Sequence, residues 1–219
     1  MLTPATFSSG IDEAIFHVAS ALQVPVLVLA LAAVALVIYE VGRYGVELTR
    51  RRRRRFETLR AAADRARMAV LAGDRPGAAQ LVNQIGSDPT MDAALVFIVA
   101  NAQTPQGEHE INKTLADFDI DIQRRLSRTR VLVRVGPALG LMGTLIPLSP
   151  ALTGLASGNT ATLSHDLRVA FSVTVVGLLV GAVAFALSLS RDRMYSQDLS
   201  DLEYVAAIVS DPRIPAGTR

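Results

Sequence analysis

Residues 169–190 read VAFSVTVVGLLVGAVAFALSLS, a stretch without a single charged side chain. A helix rises about 1.5 Å per residue, so about 20 such residues cross a hydrocarbon layer of roughly 30 Å. Two further stretches reach that length. The first, about Val18 to Tyr39, is interrupted only by Ser20 and Gln23 and has Pro25 near its start. The second, 131–153, carries Arg134 one turn inside, close enough to the end to reach the headgroups. Hydrophobic residues make up 50% of the 219 and the mean hydropathy is +0.34, values that a soluble core could also show. Uninterrupted length decides the class: an all-α, three-span membrane protein.

Arginine placement sets the expected direction. None occurs before Arg43, whereas Arg50, Arg51, Arg52, Arg53, Arg54 and Arg55 follow span one, and Arg191 and Arg193 follow span three. Positive charge marks the cytoplasmic side, so the N-terminus is expected outside. The expected order is an extracytoplasmic segment 1–21, span 22–41, a cytoplasmic helical domain 42–130, span 131–153, an outer loop 154–168, span 169–190 and a cytoplasmic tail 191–219. A cleavable leader needs a basic start, where this chain has Asp12 and Glu13, so span one is expected to be an uncleaved anchor. The arginine run abuts a span and lacks interleaved aromatics, which favours a topology anchor touching anionic lipid over a nucleic-acid site.

Between the first two spans the pattern is helical. Phe56, Leu59, Ala63, Ala66 and Val70 recur at three- and four-residue steps, and Gly73 ends that helix. Asp74-Arg75-Pro76 and Asp88-Pro89 place a capping residue just before a proline, predicting helices over about 76–86 and 89–102. Thr104-Pro105-Gln106-Gly107 breaks the chain, and from Glu108 one helix is expected to run as a stalk into span two. Together these predict a cytoplasmic helical bundle.

Catalytic chemistry finds no foothold. With Cys 0 there is no thiolate or disulfide, and His17, His109 and His165 are far apart in the chain. No phosphate loop, nucleophile elbow or zinc-binding helix motif is present, so neither an enzyme, a metal site nor a cofactor is expected. Spans two and three instead carry small and hydroxyl residues at helical spacing: Gly136, Gly140, Gly143 and Thr144 on one, Ala170, Thr174, Gly177, Gly181, Ala184 and Ser188 on the other. Glycines there serve close helix packing, while Thr144 and Thr174 offer hydroxyls near mid-membrane to an ion, a water or a carboxylate. Pro137, Pro147 and Pro150 withdraw N–H groups that lipid cannot replace, so span two is expected to be kinked and to face protein or a wet cavity.

At these residues the chain resembles the MotA/TolQ/ExbB proton-channel family. Gly136-Pro137-Ala138-Leu139-Gly140-Leu141-Met142-Gly143-Thr144 looks like the family's A/G-P-x-x-G-L-x-G-T signature, and Val169 to Ala182 resembles its A-L-x-x-T-x-x-G-L-x-x-A pattern. The resemblance implies a homopentamer of the three-span subunit around a dimer of single-span ExbD/TolR/MotB-like partners, in a prokaryotic inner membrane. The partner helix brings the membrane aspartate that carries protons, and the family's two pore-lining threonines carry over to Thr144 and Thr174. Gly136, Gly140, Gly143, Gly177 and Gly181 would pack helices around the pore. Some members have a glutamate five residues before the second threonine, where this chain has Val169. The implied function is a proton-conducting, stator-like subunit of an ion-driven motor that couples proton-motive force to motion of the partner. The rival is a non-conducting three-span oligomeric scaffold that recruits a cytoplasmic partner. A small-molecule permease fits less well, since no internal repeat or broken-helix substrate site is visible.

Overall fold

The computed structural model describes residues 4–51, 56–83 and 85–212, with side chains from residue 13 onward except at positions 50, 56 and 57. Seven helices occur among the described residues: α1 (Pro4–Ala21), α2 (Gln23–Arg51), α3 (Phe56–Leu71), α4 (Arg75–Val82), α5 (Pro89–Asn101), α6 (Gly107–Ala156) and α7 (Thr160–Ser210). Three helical stretches are long and apolar enough to cross a membrane: Glu13–Thr49, Gly107–Ala156 and Thr160–Ser210. The 50 residues of α6 and 51 of α7 correspond to about 75 Å each, more than twice the hydrocarbon thickness. The chain is a three-span, all-α membrane protein whose crossing helices run well past the bilayer.

Two compact units divide the chain: Met1–Gly42 with Arg128–Ser188, and Arg43–Ser127 with Leu189–Arg219. The first is the membrane unit. Its interior is built from Val26, Ala33 and Val37 of α2, Leu132 and Leu139 of α6, and Val180 and Ala184 of α7. Large apolar side chains such as Leu31, Leu141, Leu145, Phe171, Val175 and Leu179 are exposed around it. In water such a surface promotes association; in a bilayer it is the expected exterior. The helix break at Leu22 has a local cause: Pro25 has no N–H to give Ala21 O, and the ladder resumes with Val26 N donating to Leu22 O at 2.9 Å. Residues before that break form α1, a helix the sequence reading did not anticipate.

The second unit is a helical bundle with its own core, including Leu59, Ala66, Met91, Leu95, Ile98, Leu126, Leu202 and Val205. Its turns follow from their residues. Gly73 takes φ +82°, and the bonds Gly73 N to Val70 O and Asp74 N to Ala69 O close α3 with a left-handed cap. Asp74 then caps α4 through Gly77 N at 2.9 Å, and Asp88 caps α5 through Met91 N at 2.8 Å. α4 stops at Val82, short of the expected 86, and Gly86 N instead donates to Asp92 Oδ1 at 2.6 Å. α6 is continuous from Gly107 through Pro137, Pro147 and Pro150, as the expected stalk running into span two.

The segment 191–219, set apart as a tail in the sequence reading, belongs largely to this bundle. α7 does not end at the membrane, because Tyr195, Leu202, Val205, Ala206 and Val209 continue an apolar face at helical spacing into the bundle core. Gln103, held at φ 57°, donates from Nε2 to Val209 O at 3.2 Å and so ties the end of α7. The turn between α6 and α7 is short: α6 ends at Ala156, Gly158 at φ +76° turns the chain, and Asn159 Oδ1 accepts from Thr162 N as α7 begins.

Candidate functional site

The glycines of spans two and three meet one another within a single chain. A Cβ at Gly136 would fall 2.8 Å from Gly177 O, and one at Gly177 would fall 2.6 Å from Gly136 O. At Gly181 it would lie 2.8 Å from the Pro137 ring, and at Gly140 it would meet the Thr174 backbone at 3.3 Å. Only hydrogen fits at the first three. The close approach replaces solvent-driven association, which is missing in lipid, by dispersion between backbones. The packing these glycines permit here is between α6 and α7 of one chain.

That packing sets the register of the two threonines. Gly143 opposes the Val173 side chain, and Gly140 opposes the Thr174 backbone. α6 and α7 run antiparallel, so Thr144, one residue past Gly143, and Thr174, one past Val173, lie within about one helical turn of each other in depth. Thr174 is half-buried, with Oγ1 at 3.3 Å from Gly140 O across the helix pair and 3.2 Å from Ala170 O on its own helix. Thr144, also half-buried, donates to Leu141 O at 2.7 Å. Thr174 takes part in the seam, its backbone against Gly140 and its hydroxyl bonding across the pair, while Thr144 stands beside Gly143 with its hydroxyl turned to its own helix. The charged residues nearest the threonines are Arg134 on α6, and Arg168 with Asp166 on α7.

The arginine run is placed only in part. Arg51 is packed into the bundle unit, where it pairs with Asp198 and donates to Met194 O at 3.1 Å. Arg52 to Arg55 and the Arg50 side chain lie outside the described residues. Arg51 belongs to a polar cluster that sequence reading missed. Tyr195 Oη donates to Glu47 Oε1 at 2.6 Å, Arg191 lies 3.4 Å from Glu47 Oε2, Ser87 Oγ donates to Asp198 Oδ2 at 2.9 Å, and Arg125 pairs with Asp88 and Thr90. Its signal was present in the spacing: Glu47 and Arg51 are four apart, and Arg191, Tyr195 and Asp198 fall on one helical face. No group of three or more His, Asp or Glu that could hold a metal occurs among the described residues.

A family model described as "MotA/TolQ/ExbB proton channel family" matches residues 83–203, more than half of the chain and all of the Thr144–Thr174 layer. No curated protein matches the chain.

Proposed function

Since the chain belongs to the MotA/TolQ/ExbB proton channel family, we propose that it is the proton-conducting, stator-like subunit of an ion-driven membrane motor. In this reading several copies, five on the family pattern, enclose a pair of single-span ExbD/TolR/MotB-like partners. The partner's membrane aspartate carries protons past Thr144 and Thr174, and its protonation cycle moves the partner relative to the ring. The membrane unit lies in a prokaryotic inner membrane with the N-terminus outside, which puts the bundle unit in the cytoplasm.

One observation carries the reading. The glycine seam packs α6 on α7 with the two threonines within about one helical turn of each other, on a chain whose spans hold no acid at their centres, and this supports the reading. A proton path needs a titratable group, and here it must be supplied by another polypeptide. The energy scale is sufficient: one charge crossing 100 mV releases about 2.3 kcal/mol, comparable to rearranging a few interhelical contacts.

The test is substitution in cells that depend on the motor. Thr144→Val and Thr174→Val are expected to abolish coupled work while particle images retain a fivefold ring. Full work in both variants rejects the pore assignment. A ring that persists without conduction in the unsubstituted protein supports the scaffold reading instead.

A further inference from the structure

Arg134 stands three residues inside the apolar run of α6 that begins at Val131, and it has no hydrogen-bond or ion-pair partner among the described residues. A charge so placed needs an anion or a route to the headgroups. Arg130, four residues earlier, falls on the same side of the helix, and both side chains are exposed. Two like charges at that spacing repel unless something negative lies between them. Arg130 already interacts within the chain, so Arg134 is the charge left over. The membrane unit has little to set against it, since its acids are Asp12, Glu13, Glu40 and Asp166. Asp12, Glu13 and Asp166 stand at the other end of the spans, and Glu40 is buried, with 6% exposed. The membrane unit of a second copy brings the same acids in the same places. Past Arg134 the same face of α6 continues at helical steps through Ala138, Leu141 and Leu145, all exposed, the two leucines at 60% and 59%.

We propose that this face of α6 binds one anionic phospholipid: Arg134, with Arg130 beside it, holds the phosphate, and the acyl chains lie along Ala138, Leu141 and Leu145. A guanidinium presents paired N–H donors in one plane, which match two phosphate oxygens. Helical side chains lean toward the N-terminus of their helix, here the end at which α6 enters the apolar run. Arg134 lies about 5 Å inside that run, a depth its stem spans while staying against apolar surface. Phosphatidylcholine and phosphatidylethanolamine bring an ammonium of their own toward the same two arginines, and phosphatidylglycerol does not. The site therefore selects the lipid with net negative charge. Nothing in this depends on conduction.

The chain has no Trp, so Ala138→Trp gives it a single indole beside the site. The full chain carrying it is reconstituted in phosphatidylcholine vesicles that contain brominated phosphatidylglycerol or brominated phosphatidylcholine, and quenching of the indole reads which lipid lies against it. A preference of about tenfold for phosphatidylglycerol is expected, from two cations beside one anionic headgroup. Leu179→Trp is the control, on an exposed position of α7 with no charged residue within four positions, and its preference should be near one. Adding Arg130→Gln and Arg134→Gln to Ala138→Trp should lower the preference to the control level, whereas Arg134→Lys should keep part of it. Leu141→Trp takes the place of Ala138→Trp should that variant fail to fold. Inorganic phosphate in the buffer is expected to change nothing. Equal quenching by the two lipids overturns the inference, as does a preference that survives the double glutamine variant, since surface charge in general then accounts for it. Loss of the preference to inorganic phosphate would make this a site for soluble phosphate, and absence of quenching by either lipid would mean that protein covers the face; both reject a lipid occupant.

Discussion

At Gly177 a methyl group would sit 2.6 Å from the Gly136 carbonyl, and the obstacle is backbone that no rotamer change can move. Gly177→Ala should therefore push α6 and α7 apart, at a cost of about 1–3 kcal/mol typical of overpacking. The thermal midpoint in detergent reports this, with Gly42→Ala as the control, since nothing lies within 4 Å of a Cβ there. The control is expected to be neutral or slightly stabilising, by up to about 1 kcal/mol of helix propensity. Equal loss in both variants would contradict the seam. Thr144 and Thr174 differ from the glycines because valine matches threonine in shape and each hydroxyl gives up only bonds to carbonyls, so their valine variants should keep the fold and lose the function.

Among the elements, α2 and α7 are joined in the bundle unit by charge. Asp198, with 4% of its side chain exposed, faces Arg51, which is 16% exposed. Removing one partner of a buried pair leaves the other uncompensated, so Asp198→Ala should cost about 3 kcal/mol by chemical unfolding, and Arg51→Ala added to it should cost little more. Additive losses would show that the pair is not coupled. Asp88 has two duties, capping α5 through Met91 N and receiving Arg125. Asp88→Ala is expected to lose about 1–2 kcal/mol, with Asp88→Asn recovering the cap share of it. The helices themselves were legible because capping aspartates, prolines and Gly73 act within one turn of where they stand. The Glu47–Arg191–Tyr195 and Arg51–Asp198–Ser87 contacts were not, since they join residues more than a hundred positions apart and only the folded chain brings them together. α1 was not legible either, since its residues before Ile15 carry no apolar run to announce a helix.

For the molecule as a whole, the three spans were readable from length and charge alone, because lipid imposes one solution on the backbone of a crossing segment. What lies past the bilayer obeys no such rule. Hydropathy falls after Ser190, yet α7 continues to Ser210 and supplies Leu202, Val205, Ala206 and Val209 to the bundle core. A chain ending at residue 198 should therefore lose the bundle: Leu202, Val205 and Val209 are each worth about 1.5–3 kcal/mol of burial, together comparable to an ordinary stability margin. Limited trypsin digestion checks this, with new cleavage expected at Arg60, Arg65 and Arg67 of α3; unchanged protection would mean that the end of α7 is dispensable. The glycine seam was legible as a stripe, but whether a stripe closes within one subunit or between two depends on which helix lies opposite. The central claim is conduction past the shared threonine layer. It is tested most directly by proton flux into vesicles that hold the chain together with an aspartate-bearing single-span partner under an imposed pH gradient. Flux that requires both proteins and disappears with Thr144→Val, Thr174→Val is the predicted result; flux equal to that of empty vesicles, or flux untouched by the double variant, would contradict it.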